Sequence, residues 1–223
     1  MARRRAQQTA LFAEDGVPRK PVSPQARAMC SRGKKQAPAP KPWEAVLAVV
    51  DTAKISGWTI GVRGKVVASG EHNTEQRPDL TDRVIADAVS LGELHSLPVI
   101  LVLEAPYGGN KFILVGLGVA KGRWTDAWKR AKQAAARKVT VQPSEWRGPV
   151  LGSWAAKAER DNVRASELSV ARGIVGREDV GADEAAALCI HHWAAHAPKV
   201  GEALGKRARE KSMAAWQRRE VRA

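Results

Sequence analysis

Asp51 ends the apolar run VLAVV, Glu104 ends a second one, VILVL, and Asp183 stands near the start of the helical stretch ADEAAALCI. A carboxylate at the end of a buried strand is costly unless something charged meets it. Two such strands, adjacent and parallel, would bring Asp51 and Glu104 to one sheet edge, and a helix start could deliver Asp183 beside them. Three unpaired carboxylates at that range repel and raise one another's pKa values. A divalent cation resolves the conflict, and hard oxygen donors suit Mg²⁺ or Mn²⁺. Centres of that composition hydrolyse phosphodiesters. Each acid also has an ordinary role open to it. Asp51 suits a turn that bonds local backbone, and Asp183 suits the first turn of a helix. Glu104 resists such an account, because VLEAPY keeps a long acid inside a strongly apolar strand.

The elements that must position these acids follow from periodicity. EAVLAVVD is a continuous apolar run suited to a central strand. GWTIGV and KVVASGEH flank the turn RGK and read as a hairpin, with Gly64 at the turn. TDRVIADAVSLGELHSL carries apolar residues at Val84, Ile85, Ala88, Val89 and Leu91, an amphipathic helix with Thr81 as its cap. PVILVLEAP is a second buried strand. A glycine-containing helix runs from about Lys111 to Lys132, KVTVQP is a further strand, and SWAAKAERDNVRASELSVARGIV and ADEAAALCIHHWAAH are helical. This order predicts an α/β fold with a mixed central sheet, antiparallel in its first three strands and parallel afterwards, flanked by helices.

The chain has 223 residues and a formal net charge of +14, with a pI near 10.3. Such an excess draws polyanions and gives binding that weakens steeply with salt. Residues 1–43, rich in Arg, Lys, Pro, Ala and Gln, read as a disordered basic arm that either tethers nucleic acid or solubilises the chain. The globular part spans 44–197, and 198–223 reads as a basic C-terminal tail. No apolar run is long enough for a membrane span, and MARRRAQQTALFAEDG lacks a secretory apolar core. Cys30 and Cys189 are too few for a disulfide framework or a thiolate metal site. A reduced, cytoplasmic protein is expected.

At the acids the sequence resembles the RuvC family of Holliday junction resolvases, within the RNase H-like nuclease fold. VVDTAKISGWTI is similar to the family's strand, Asp, turn, Gly and aromatic start, and Tyr107 falls where the family has an aromatic contacting the DNA branch point. NKFILVGLGVAKG resembles the next motif through Asn110, Leu117, Gly118, Ala120, Lys121 and Gly122. VQPSEWRGPVLGSWAAKAERDNV is similar to the strand, substrate loop and lysine-bearing helix start that follow, with Lys157 at the lysine position. GADEAAALCIHHWAAH resembles the closing helix. The likeness covers about Val46 to His196. It implies metal ligation by Asp51, Glu104 and Asp183, catalysis by these with Lys157, and a homodimer matched to a two-fold symmetric four-way junction.

One departure stands out. The family carries two acids three residues apart on the closing helix, and here Ala186 takes the second place. Glu184 lies about 100° further round that helix, Asp179 and Glu178 precede it, and His191 and His192 follow; the fourth ligand is open. Gly116, Gly118 and Gly122 cost helix propensity, which close packing against the sheet or a second subunit would offset. Trp124 and Trp128, one turn apart, suit core or dimer packing better than base stacking. Lys129, Arg130, Lys132, Arg137 and Lys138 form a basic run that suits phosphate contact or a solvated face. The expected DNA contacts are Tyr107, Asn110, Lys111, Lys121, Arg123, Lys129, Arg130 and Arg147. Tyr107 would stack on an exposed base, and Lys157 would steady charge growing on the phosphate. The leading expectation is a metal-dependent nuclease of branched DNA. A junction-binding protein with impaired catalysis, or an RNase H-like nuclease with another DNA or RNA substrate, are the alternatives.

Overall fold

In the computed structural model the described residues are 41–107, 111–131, 133, 137–156 and 158–205. The arm up to residue 40, the end of the basic tail, and Asn110, Lys132 and Lys157 lie outside them. Strands β1 (Val46–Asp51), β2 (Ile55–Val62) and β3 (Lys65–Asn73) come first. They are followed by α1 (Pro78–His95), β4 (Val99–Glu104), α2 (Lys111–Arg130) and β5 (Lys138–Val141). Then come α3 (Pro143–Leu151), a 3₁₀ turn (Ser153–Ala156), α4 (Arg160–Val175), α5 (Ala182–Ala194) and α6 (Pro198–Ala203). The sheet order is β3-β2-β1-β4-β5. β1 pairs antiparallel with β2, and β2 with β3; β1 pairs parallel with β4, and β4 with β5. The mixed sheet expected from the sequence is the one observed.

Helices cover both faces of the central strands, which is why β1 and β4 are apolar at nearly every position rather than alternating. Leu47, Val49, Ile100 and Val102 point toward α3, α5 and α6, against Trp146, Cys189, Ile190 and Val200. Val46, Ala48, Val50, Leu101 and Leu103 point the other way, against Val84, Ile85, Trp124 and Trp128 of α1 and α2. Each fully buried Leu, Ile or Val contributes about 1.5–3 kcal/mol, so the two layers hold β1 and β4 firmly where they end in acids. Trp124 and Trp128 are core residues, as expected. The β2–β3 turn places Arg63 at φ 51° and Gly64 at φ 76°, the left-handed pair of a two-residue hairpin whose twist matches the strands.

Two local expectations change. α1 starts at Pro78, whose fixed φ suits a first helical position, with Arg77 as N-cap. Thr81 is therefore not the cap; it is buried inside the helix, 3.0 Å from His72 Nε2 through its hydroxyl. The sheet is not what compensates Gly116, Gly118 and Gly122, since a Cβ at any of them would meet nothing within 4 Å. Around them Phe112, Ile113, Leu114, Val115 and Val119 are exposed on the first half of α2. Packing also runs on past residue 197. Val200 and Leu204 join the core, Gly201 lies against the Trp43 ring, and Trp43 Nε1 donates to the Ala197 carbonyl at 3.0 Å. Among the described residues no helix is long and apolar enough to cross a membrane.

Candidate active site

One transverse row of the sheet carries the site. Asp51 pairs with Gly57 on β2, and Gly57 pairs with Glu71 on β3. On the other side Val50 pairs with Leu103, so the next step of the parallel ladder sets Asp51 beside Glu104, which pairs in turn with Val141. Residues in one row point to the same face, here the face that α5 covers. Gly57 is where α5 lands: a Cβ there would lie 1.7 Å from the Asp183 carbonyl oxygen. The missing side chain is what lets the first turn of the helix come down between the acids.

Asp51 is held well above the usual carboxylate range, first by burial, then by the charge of Glu104 and a hydrogen bond with its carboxyl, and then by Asp183 and Glu167. Glu104 is buried, and its Oε1 accepts a hydrogen bond from Trp146 Nε1 at 2.8 Å. Its backbone carbonyl accepts from the Thr52 hydroxyl, also at 2.8 Å, tying the ends of β1 and β4 together. Asp183 is raised by burial and by Glu71, against the opposing pull of Arg164 and Arg160; Arg164 Nη2 lies 4.0 Å from its Oδ1. The structure thus brings Asp51 and Glu104 into hydrogen-bonding contact and Asp183 within electrostatic reach of Asp51. Among the described residues, no three His, Cys, Asp or Glu side chains form a ready cage for a metal ion. The physical reason is visible in the partners. The Asp51 carboxyl meets that of Glu104, Trp146 holds an oxygen of Glu104, and Asp183 faces Arg164. The donor chemistry nonetheless fits a divalent cation: clustered carboxyl oxygens, with Asp51 raised in pKa by burial and by the charges of Glu104 and Asp183, are what such a charge relieves.

Two acids near the row escaped the sequence reading. Glu167 of α4 is buried, with Arg147 Nε 3.3 Å from its Oε1. Burial raises its pKa, Arg147 opposes, and Glu104 adds to the rise. The signal was present, because Glu167 sits four residues from both Val163 and Ala171 on the buried stripe of α4. Glu71 is the other; its Oε2 accepts from the backbone N–H of Asp183 at 3.2 Å and of Glu184 at 3.3 Å. Nothing in its local sequence marks it.

The substitutes considered for the acid missing at Ala186 all have other occupations. Glu184 turns to the Ser69 hydroxyl at 2.6 Å and to Arg177. Asp179 pairs with Arg177 at 3.1 Å and Glu178 with Arg172 at 3.3 Å. His191 is deep in the core against Gly61, and His192 is exposed with its ring near His196.

Of the expected DNA contacts, Tyr107 is 73% exposed three residues beyond Glu104, and Lys111 is exposed at the start of α2. Lys121 is partly buried, its pKa lowered by that burial and by Lys138. Arg123 lies 3.9 Å from Glu75 and Lys129 3.1 Å from Asp126. Arg130 reaches Asp82 through two nitrogens. Such exposed pairs are worth only about 0–1 kcal/mol, so they are readily exchanged for phosphate. Arg147 is differently placed, in a pair with Glu167 and over the Trp146 ring at 5.2 Å.

Comparison with known proteins agrees with this architecture. No protein-family profile matches the chain, and no curated protein matches it. A solved structure of Thermus thermophilus RuvC aligns with a TM-score of 0.50 and 16% identity over 70% of this chain and 96% of that one. T. thermophilus RuvC in complex with a Holliday junction substrate aligns at 0.49 and 15%, over 68% and 93%. The yeast mitochondrial Holliday junction resolvase Ydc2 aligns at 0.38 and 11%, over 70% and 81%. The fold is that of RuvC.

Proposed function

We propose that this RuvC-fold chain is a divalent-cation-dependent endonuclease that nicks branched DNA, four-way junctions above all. The observation that carries the reading is the contact of Asp51 with Glu104 at the ends of two parallel strands, with Asp183 beside them. Asp51, Glu104 and Asp183 would hold Mg²⁺ or Mn²⁺. Bound there, the cation would supply Lewis acidity at the phosphodiester and relieve the repulsion among the acids. The chain's own groups prepare the place. Trp146 fixes the orientation of Glu104. Arg160 and Arg164 bring positive charge to the rim beside Asp183, where a phosphate group would lie. Lys157 is assigned the steadying of charge on the phosphate, and Tyr107, exposed beyond Glu104, the stacking on an unpaired base at the branch. The expected DNA contacts of α2 and Asn110 track the backbone around it. A homodimer fits the exposed apolar strip on α2, and the cytoplasm is its expected place.

A binding protein without cleavage is the second reading, favoured by Ala186 and by the absence of a ready cage among the described residues. Side-by-side assays on junction, flap, linear duplex and RNA–DNA hybrid in Mn²⁺ separate the two. Junction nicking that disappears in Asp51→Asn and Glu104→Gln is expected. Tight junction binding with no cutting in either metal would establish the second reading instead, and cutting of duplex or hybrid equally well would shift the substrate class.

A further inference from the structure

We propose that Glu71, on the edge strand β3, is a positioning residue: its carboxylate clamps the first turn of α5 and so sets where Asp183 stands beside Asp51. The functional consequence rests on the nuclease reading; the clamp itself does not.

The first turn of a helix leaves backbone N–H groups without partners inside the helix, and a residue just before it usually caps one with a side-chain oxygen. α5 has no such cap, because its N-cap is Gly181. Glu71 provides one from another strand. Its Oε2 receives the N–H of Asp183 and that of Glu184, from a residue more than a hundred positions earlier in the chain. A negative charge at that end of a helix is also favoured by the aligned peptide dipoles.

Two glycines make room for the arrangement. A Cβ on Gly181 would fall 2.3–2.6 Å from the Glu71 carboxyl atoms, so any side chain there would expel the clamp. A Cβ on Gly57 would meet the Asp183 carbonyl. The first turn of α5 is therefore seated on Gly57 from below and tied to Glu71 at its end. One of the two tied amides is that of Asp183 itself, so releasing the clamp frees the backbone from which its carboxylate projects. Glu184, the neighbour, is fixed independently by Ser69 and Arg177. The clamp thus bears on Asp183 more than on the rest of the helix.

The test uses the full chain with Glu71→Ala and Glu71→Gln, the second keeping an oxygen acceptor. Amide hydrogen exchange should quicken at Asp183 and Glu184 by about five- to tenfold in Glu71→Ala, with Leu188 and Ile190 further along α5 unchanged. Glu71→Gln should recover most of that protection. Mn²⁺ affinity, read by electron paramagnetic resonance, should weaken in Glu71→Ala and return in Glu71→Gln, and junction nicking should lose kcat with little change in KM. Unaltered exchange at both amides overturns the clamp. Faster exchange with unaltered Mn²⁺ affinity overturns the positioning role and leaves simple helix capping. A wild-type chain that neither binds Mn²⁺ nor nicks junctions, while its amides still respond to Glu71→Ala, refutes the nuclease reading, and with it the positioning role, but not the clamp.

Discussion

Glu104 is the acid most constrained by its neighbours, and it shows how a single contact tunes the site. Its Oε1 has Trp146 Nε1 as a buried donor; its carboxyl also meets that of Asp51. Trp146→Phe keeps an aromatic ring in the core and removes the N–H together with part of the indole. A buried carboxyl oxygen deprived of its donor costs about 1–3 kcal/mol, so the variant should melt several degrees lower. Its junction nicking should fall as Glu104 loses its fixed orientation; thermal melting and a single-turnover assay read the two effects separately. Unchanged melting would mean that water replaces the indole donor. The residues of the site were unevenly legible in the sequence. Asp51 and Glu104 stood out because a long apolar strand rarely ends in an acid unless a partner or an ion meets its charge. Glu167 was readable from its helical spacing but is masked by a neighbouring Leu168 and by the charged residues of its own helix. Glu71 could not be read at all, because its role is created by a helix start that arrives from the far end of the chain.

At the scale of elements, the sheet row acts as a unit, and Gly57 is its most exacting position. An added methyl would sit 1.7 Å from backbone of α5, and backbone cannot swing aside as a flexible side chain can. Gly57→Ala should therefore push the first turn of α5 outward, lowering stability by about 1–3 kcal/mol. Nicking should drop more than stability predicts, since Asp183 moves with the helix. Urea denaturation beside an activity assay tests this, and equal activity per folded molecule would show that Asp183 tolerates the shift. The strands were legible because burial on both faces of β1 and β4 leaves an unmistakable apolar run, and the hairpin because Gly64 suits a left-handed turn position. The start of α1 was misread because Thr81 looks like a cap, whereas Pro78 preorganises the turn before it and Thr81 is drawn inward to His72. The glycines of α2 were expected to pack against the sheet or a second subunit, and it is the sheet that does not meet them, since propensity alone cannot say which side of a helix is covered.

For the whole molecule, opposing buried titrations decide how stability depends on pH. His191 is 1% exposed on α5, with its ring against Gly61. Burial, followed by the charges of His192 and His196, lowers its pKa to about 4. The unfolded chain would bind that proton near pH 6.5. Between those values the unfolded state holds more protons, so His191 contributes stability above about pH 6.5 that is lost as pH falls toward 4, up to about 3 kcal/mol. Asp51, Asp183 and Glu167 act in the opposite sense. Their raised folded-state pKa values mean that the folded protein holds more protons just above the ordinary carboxylate range, so stability from them falls as pH rises. His191→Gln removes one side of this balance while leaving the carboxylates alone. The variant should be less stable than wild type near neutral pH, because the ring's packing is lost. The gap between the two should then narrow by about 3 kcal/mol on going to about pH 4. Urea midpoints measured for both chains across that range, in chelator, give the difference directly. A gap that stays constant would mean that the imidazole is hydrated in the folded protein and that acid stability is governed by the carboxylates alone.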